Sequence, residues 1–506
     1  MKLLKAQEMQ ALDRQAIEGI GIPSLVLMER AALGVVTAVR WELAHCRRFL
    51  VIAGKGNNGG DGLAIVRQLH LLGYSVDYVL GLGDDLKGDA QVQYHILQNL
   101  GLSPLSVVDF ARYDLIVDAL FGTGFTPPPR GAGQMWIERM NGAGLPIVAV
   151  DIPSGLMADS GRAVTPAVSA TLTVTFQFPK LCHFLHPASK NCGKLYVADI
   201  GIPKTLAEGI NREVLLTVSL PPRPVDAHKG SMGHVLLIGG SSGKTGAVMM
   251  AARASTRSGA GLVTVGVPSG LNQIVETVLL EEMSMPLPGQ ERLAADSPEL
   301  ILAMQDRFTA VAVGMGMDRY SGGRAVVREL VRQVQPPLLL DADALNNLAD
   351  EGVDLLKERV GITILTPHVG EFHRLSGLAK TEIGENLTDV AQAFAQRWGC
   401  YIVLKSARTA IATPQGQVYL STRGSAAMAK GGMGDVLAGV LTALLGRGLE
   451  PIVALQIGVF VHGLAGEVAA TEKHQESVRT IDVIEALPQA FRLVETGKFS
   501  PSFISF

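Results

Sequence analysis

The sequence predicts two α/β domains built on largely parallel sheets. Short runs of Val, Ile, Leu and Ala recur along the whole chain, each ending in Gly, Asp or Pro. Near-continuous apolar runs of this kind mark strands buried on both faces. Stretches of helical periodicity separate them, and that alternation marks parallel sheets. The length of 506 residues exceeds the roughly 250–300 at which a single core stops growing, so at least two domains are expected.

The upstream runs are "RFLVIAG", "YSVDYVLGLG", "YDLIVDALFGTG", "LPIVAVDIPSG" and "ATLTVTFQ"; the downstream runs are "HVLLIGG", "GLVTVGVP", "AVAVGMG", "PLLLDADAL", "ITILTPH" and "YIVLKSA". Between the two sets, "SLPPRPVDAHKG" (219–230) carries three prolines in four positions and loses the apolar period. It reads as the seam between domains spanning 1–218 and 225–500.

Composition narrows the class. Hydrophobic residues make up 47% and charged residues 18%, as in a globular protein, and 57 glycines suit many strand-to-helix turns. A net charge of −3 without a long basic run argues against nucleic acid or an anionic membrane as partner. The N-terminus is amphipathic rather than signal-like, and there is no run of about 18 uninterrupted apolar residues that would mark a membrane span. Four cysteines suggest no disulfide framework, and "CHFLHPASKNC" (182–192) fits no familiar zinc spacing. The expectation is a cytoplasmic protein acting on small molecules.

In open α/β sheets ligands bind beyond the carboxyl ends of the strands, and unusual residues gather there. "LVIAGKGNNGGDG" (50–62) matches the dinucleotide fingerprint through Gly54, Gly56 and Gly59, with Asp77 placed as a ribose-binding carboxylate would be. Asp77 reads equally as a solvated strand residue, and Asn-Gly-Gly as a simple turn. Asn57, Asn58 and Asp61 add donors and acceptors. "DALFGTG" puts Asp118 before the loop Gly122–Gly124, and "VDIPSG" puts Asp151 before Ser154. Each alone reads as a cap or turn residue; three such ends on one sheet edge read as a site. Oxygens of Asn58, Asp118 and Ser154 can hold a cation, and Asp151 can serve as the acid/base.

"GKGNNGGDG", "DALFGTG" and "VDIPSG", in this order, resemble the NAD(P)H-hydrate epimerase domain over roughly residues 1–215. The resemblance implies a Rossmann-like α/β/α domain that interconverts the R and S epimers of NADHX and NADPHX. It also implies potassium on Asn58, Asp118 and Ser154. Substrate would lie along Asn57, Asn58, Gly59, Gly60 and Asp61, along Gly122, Thr123, Gly124, Phe125, Thr126, Pro127 and Pro128, and at Asp151.

In the second half, "AKGGMGDVLAGVLTALLGRG" (429–448) sets Gly431, Gly432 and Gly434 before a helix over Val436–Leu445. Free N–H groups and the helix dipole make an anion hole there. Asp435 reads as a cap, or as the base that deprotonates a hydroxyl attacking phosphorus. "LTPHVGEFHRL" offers His368 and Glu371, with His373 a helix-surface residue. "IVLKSARTAI" offers Lys405 and Thr409 in a strand-turn-strand, and "LLLDADALNNL" offers Asp341, Asp343 and Asn346. "VLLIGGSSGKTGA" (235–247) is not a P-loop, since only three residues separate Gly239 from Gly243-Lys244.

"GGSSGKTGA", "SGAGLVTV", "DADALNNL", "TPHVGEF", "LKSART" and "GMGDVLAG" together resemble the ADP-dependent NAD(P)HX dehydratase over about residues 225–495, a ribokinase-like fold. The resemblance implies Asp435 as catalytic base and Ala260, Gly316 and His368 against the hydrate. Lys405, Ser406, Ala407, Arg408, Thr409 and Gly434 would contact the adenine nucleotide, with Mg²⁺ on its phosphates. The implied reaction turns ADP and (6S)-NAD(P)HX into AMP, phosphate and NAD(P)H. The family also suggests a homo-oligomer. This chain departs from it at Met433 (usually Thr), Met315 (usually Pro), Ser406 (usually Gly) and Lys244 (a Tyr nearby). Competing readings are a ribokinase-type small-molecule kinase, a non-catalytic scaffold and a plain NAD-dependent dehydrogenase.

Overall fold

The computed structural model describes all residues except Thr126, Pro127, Ala163, Ser502 and Phe506. Two compact units emerge, Met1–Arg212 with Pro501–Phe506, and Glu213–Ser500. The proline-rich stretch 219–230 lies inside the second unit.

The first unit is a parallel sheet of seven strands: β1 (Arg48–Ala53), β2 (Ser75–Leu80), β3 (Leu115–Ala119), β4 (Ile147–Val150), β5 (Leu172–Phe176), β6 (Lys194–Ala198) and β17 (Ile504–Ser505). Their order is β17-β6-β5-β4-β3-β1-β2, so the sheet reverses direction between β1 and β3. A crevice opens at such a switch point. β3, β4 and β5 are buried along their whole length, which is why they read as unbroken apolar runs.

The second unit centres on a mixed sheet with β7 (Arg212–Leu215) at its edge. Its parallel strands are β8 (His234–Gly239), β9 (Leu262–Pro268), β10 (Met283–Leu287), β11 (Ala310–Met315), β12 (Leu338–Leu340), β13 (Thr363–Leu365) and β14 (Tyr401–Leu404). The antiparallel strands β15 (Thr409–Ala412) and β16 (Val418–Ser421) follow. The switch point here falls between β8 and β11, which are neighbours although β9 and β10 intervene in sequence.

The glycine-rich helix near the C-terminus runs over Met433–Gly446, three residues earlier than the periodicity alone suggests. Its wide apolar face packs on the helix Thr245–Arg257 at a crossing of small residues. A Cβ on Gly439 would lie 2.1 Å from the backbone oxygen of Ala251, and Ser255 Oγ donates to the Gly439 carbonyl at 2.8 Å. The following helix, Pro451–Glu472, is the one helix among the described residues long and apolar enough to cross a membrane. Its most apolar window is 72% buried in the protein.

The Gly439 contact sets a test of the packing. Backbone cannot yield as a side chain can, so Gly439→Ala should cost about 2 kcal/mol or more by overpacking. Gly384→Ala, in a helix with nothing within 4 Å of the new methyl, should leave stability unchanged or raise it by about 0.5–1 kcal/mol. Thermal or urea melts of the two variants check the contrast.

Candidate active sites in the two units

The switch point of the first unit is built on close backbone approach. A Cβ on Gly54 would sit 2.0 Å from the Leu120 oxygen, and one on Gly59 would sit 2.0 Å from the Gly54 oxygen. Only glycines let β1, β3 and the helix Asn57–Leu71 come this close. The result is a cavity of about 470 Å³ lined by Asn57, Asn58, Gly122, Gly124 and Phe125, with Gln10 from the N-terminal helix. The structure thus brings the fingerprint and the glycine-rich loop together, with Thr123 inside the loop and Pro128 exposed beyond it. Thr126 and Pro127 lie outside the described residues.

Asp118 is fully buried at the end of β3. Its carboxylate accepts from Ser154 Oγ at 2.6 Å, from the Ser154 backbone N–H at 2.8 Å and from the Leu120 N–H at 3.2 Å. Burial pushes it up to about 6, against these hydrogen bonds. Asn58 abuts the loop that follows β3: a Cβ on Gly122 would come within 3.1 Å of the Asn58 side chain. The Asn58 amide nitrogen is buried without a hydrogen-bond partner. A carboxylate, a hydroxyl and an amide carbonyl present hard oxygens that suit a cation such as potassium.

Asp151 turns out of β4 with φ +65°, a left-handed conformation that Asp tolerates better than most residues. Its carboxylate accepts from Lys180 Nζ at 2.6 Å and from Thr175 Oγ1 at 2.8 Å. His183 Nε2 lies 3.0 Å from its backbone oxygen. Burial favours the neutral acid, but Lys180 and Thr175 outweigh it and hold Asp151 below the usual carboxylate range. Two further carboxyls surround this pair with the opposite bias. Asp61 is pushed well above the ordinary range by burial and by Asp151 and Asp13. Asp13 is pushed up to about 6, mainly by burial. The unit therefore places one ionised and two protonatable carboxyls around one ammonium.

Lys180, Thr175, His183 and Asp13 were not anticipated from sequence. Lys180 and Thr175 follow the same strand-end logic, because "TFQFPK" carries them to the carboxyl end of β5. Asp77 is not at the strand end where a ribose ligand is expected. It is the third residue of β2, short of the strand's carboxyl end, and accepts from the Tyr113 hydroxyl at 2.8 Å. Around "CHFLHPASKNC", both cysteines are buried and free, and no metal-binding cluster of His, Cys, Asp and Glu occurs among the described residues.

In the second unit the glycine turn Gly431-Gly432 precedes the helix Met433–Gly446, with Gly432 at φ +91° and Thr480 Oγ1 bound to the Gly431 carbonyl at 2.8 Å. Asp435 stands in the first turn. Burial, then the charge of Asp341, push it up to about 7 against the pull of Lys405. Lys405 Nζ donates to Asp341 Oδ1 at 2.7 Å, and Thr366 Oγ1 donates to the same oxygen at 2.7 Å. A Cβ on Gly434 would meet Lys405 Nζ at 3.0 Å, so the ammonium lies against the anion hole. Burial opposes its charge, yet Asp341, Glu371 and Asp435 hold its pKa above the ordinary value.

His368 caps the helix Val369–Ser376. Its Nδ1 accepts from the N–H groups of Gly370 at 2.9 Å and Glu371 at 3.2 Å, while Glu371 accepts from the His368 N–H at 2.8 Å. Burial and Lys405 push its pKa down, which keeps the imidazole neutral. Gly316, at φ +67° after β11, abuts the "GGSSGKTGA" turn, with Ser241 Oγ bound to its carbonyl at 2.8 Å. Ser406 and Ala407 are exposed in the β14–β15 hairpin. Arg408 spends one arm on the Thr422 carbonyl at 2.7 Å.

Ala260 is not brought to this site. β8 and β9 run parallel with His234 opposite Leu262, so Ala260 precedes the amino end of β9, at the edge opposite Gly316 and Lys405. The departures at Met433 and Met315 are both core packing, since each side chain is buried in the main apolar cluster.

A dinucleotide-type crevice in one unit and a glycine-rich helix N-terminus with a buried carboxyl in the other define a two-site α/β enzyme that handles nucleotides. Residues 24–182 match the family model described as YjeF-related protein N-terminus, and residues 235–489 match NAD(P)H-hydrate dehydratase. The bifunctional NAD(P)H-hydrate repair enzyme of Moorella thermoacetica is 41% identical over 518 residues, covering 98% of this chain and 97% of that one. That of Thermofilum pendens is 36% identical, covering 97% and 96%. An ADP/ATP-dependent NAD(P)H-hydrate dehydratase from Bacillus subtilis, crystallised with ATP and Mg²⁺, superposes with a TM-score of 0.50 at 27% identity over 56% of this chain and 99% of its own. The chain belongs to the bifunctional NAD(P)H-hydrate repair enzyme family.

Two variants probe the buried pairs. Lys180→Met leaves the Asp151 carboxylate buried and unpaired, and should cost about 3–5 kcal/mol. Adding Asp151→Asn should recover part of that loss in the same melts. Asp341→Asn frees Lys405 from its anchor, and should lower the apparent pKa of Asp435 by removing a neighbouring negative charge; the acid limb of the dehydratase rate then moves to lower pH.

Proposed function

We propose that the first unit epimerises NADHX and NADPHX at Asp151, and that the second dehydrates the S epimer using ADP, with Asp435 as the base. The observation that carries the second assignment is a carboxyl at about 7 beside a helix N-terminus and a lysine ammonium. Such a base takes the proton of the C6 hydroxyl as its oxygen attacks the β-phosphorus of ADP, and the bond to AMP breaks. Lys405 and the N–H groups after Gly432 face the phosphate being transferred. Departure of phosphate from C6 with a proton from C5 restores the dihydronicotinamide. Magnesium would supply charge neutralisation on the phosphates, and Asp341 at this sheet edge would help to hold it.

In the first unit Asp151 serves as base while Asp61, biased toward its protonated form, serves as a proton source. Asn58, Asp118 and Ser154 would hold potassium, which would supply positive charge beside the crevice. The remaining assignments follow the loops: Asn57–Asp61 and Gly122–Phe125 against the dinucleotide, Gly316 and His368 against the hydrate, and Lys405–Thr409 with Gly434 against the adenine nucleotide.

Dehydration creates absorbance at 340 nm, so the reading is tested by adding enzyme to (6S)-NADHX with ADP and Mg²⁺. Wild type should convert the substrate with release of free phosphate, and Asp435→Asn should lose about 10³-fold or more in rate. A phosphorylated product that accumulates instead would mark a kinase. Because the base works only when ionised, the rate should rise as pH passes upward through about 7 and level off above it. Potassium binding has its own sign: Asp118 is protonated below about 6, so K⁺ should raise the melting temperature of the first unit more at pH 8 than at pH 5. Asp118→Asn should abolish the difference.

A further inference from the structure

A second cavity in the Glu213–Ser500 unit, of about 630 Å³, lies away from the catalytic centre. Arg447 on its wall follows the C-terminus of the helix Met433–Gly446, whose first turn carries Asp435. Twelve residues of helix put roughly 18 Å between the two positions. The cavity is therefore at the opposite edge of the sheet from Lys405.

Its lining joins an apolar wall, including Pro222 and Phe491, to three arginines, Arg223, Arg447 and Arg492, against a single carboxylate, Glu495. Among the described residues none makes a hydrogen bond or ion pair with these three guanidinium groups, and Arg447 Nε is buried with no acceptor. Uncompensated like charge around a cavity of this size is the signature of an anion site.

We propose that this cavity binds a phosphate monoester carried on a flat apolar group, its phosphate between Arg223 and Arg447 and its ring over Phe491 and Pro222. Guanidinium forks match phosphate oxygens bidentately, and an apolar wall alone would not select them. Burial and the nearby Arg223 push the Arg447 pKa down, and a bound dianion relieves both effects. The site does not depend on the assignment of the dehydratase, because none of its lining residues belongs to that machinery.

The test is fluorescence titration of the full chain with 1-naphthyl phosphate, with 1-naphthol and inorganic phosphate as the apolar and anionic halves of the probe. Wild type should bind the whole probe saturably, and each half about tenfold or more weakly. Arg223→Gln and Arg447→Gln should each weaken the probe by about tenfold or more while Lys405→Met leaves it unchanged. Arg223→Gln should keep wild-type dehydratase turnover, which shows that it folds. Absence of saturable binding, binding indifferent to both arginine variants, or binding lost only in Lys405→Met would each overturn the proposal.

Discussion

A lysine ammonium buried against an aspartate at the carboxyl edge of a parallel sheet is the interaction on which both units depend. Parallel strands end together, so their terminal polar groups are gathered at one edge and withdrawn from water by the loops above them. Charge withdrawn in this way must be paired. Lys180 with Asp151 does so in the first unit and Lys405 with Asp341 in the second, and in each a threonine hydroxyl donates to the same carboxylate oxygen as the lysine. Thr175 and Thr366 thus fix the carboxylate and leave the lysine one geometry.

The same device gives opposite results because of where the working carboxylate stands. In the first unit the lysine bonds Asp151 itself and keeps it ionised, while burial, with the charge of Asp151 added to it, moves Asp61 and Asp13 up. In the second unit the lysine bonds Asp341, and burial, then that aspartate's charge, move Asp435 up with only partial relief from Lys405. On the proposed reading, one site holds a standing base with proton sources beside it, and the other a base poised near neutrality whose proton removal coincides with phosphoryl transfer. Direct pairing and pairing at one remove are enough to separate the two chemistries.

Much of this was legible in the sequence. Buried strands announce themselves as unbroken apolar runs, and residues such as Asp118, Asp151 and Lys405 end those runs. The close approaches at Gly54, Gly59 and Gly432 are of the kind only glycine permits, so their motifs survive as text. What stayed hidden depends on distance through space. Lys180 and Asp151 are 29 residues apart, and no local spacing links them. Asp13 enters from the N-terminal helix, and Thr366 opens "TPHVGEF" with nothing in that spacing to mark the Asp341 it bonds. Asp77 misled because a count of about 20 residues locates a strand but not its end. Ala260 misled in the same way: a motif gives order along the chain, whereas the edge of the sheet is set by strand direction.

The central claim is that each unit carries a complete site of its own, joined only by the epimer that one makes and the other consumes. The most direct measurement follows absorbance at 340 nm when an equal mixture of R and S NADHX meets Asp151→Asn, Asp435→Asn, or both proteins together, with ADP, Mg²⁺ and K⁺. The account predicts that Asp151→Asn converts the S half and then slows to the uncatalysed epimerisation rate, that Asp435→Asn converts none, and that the mixed variants convert everything. Conversion of the R half by Asp151→Asn at the wild-type rate, or no recovery on mixing, would contradict it.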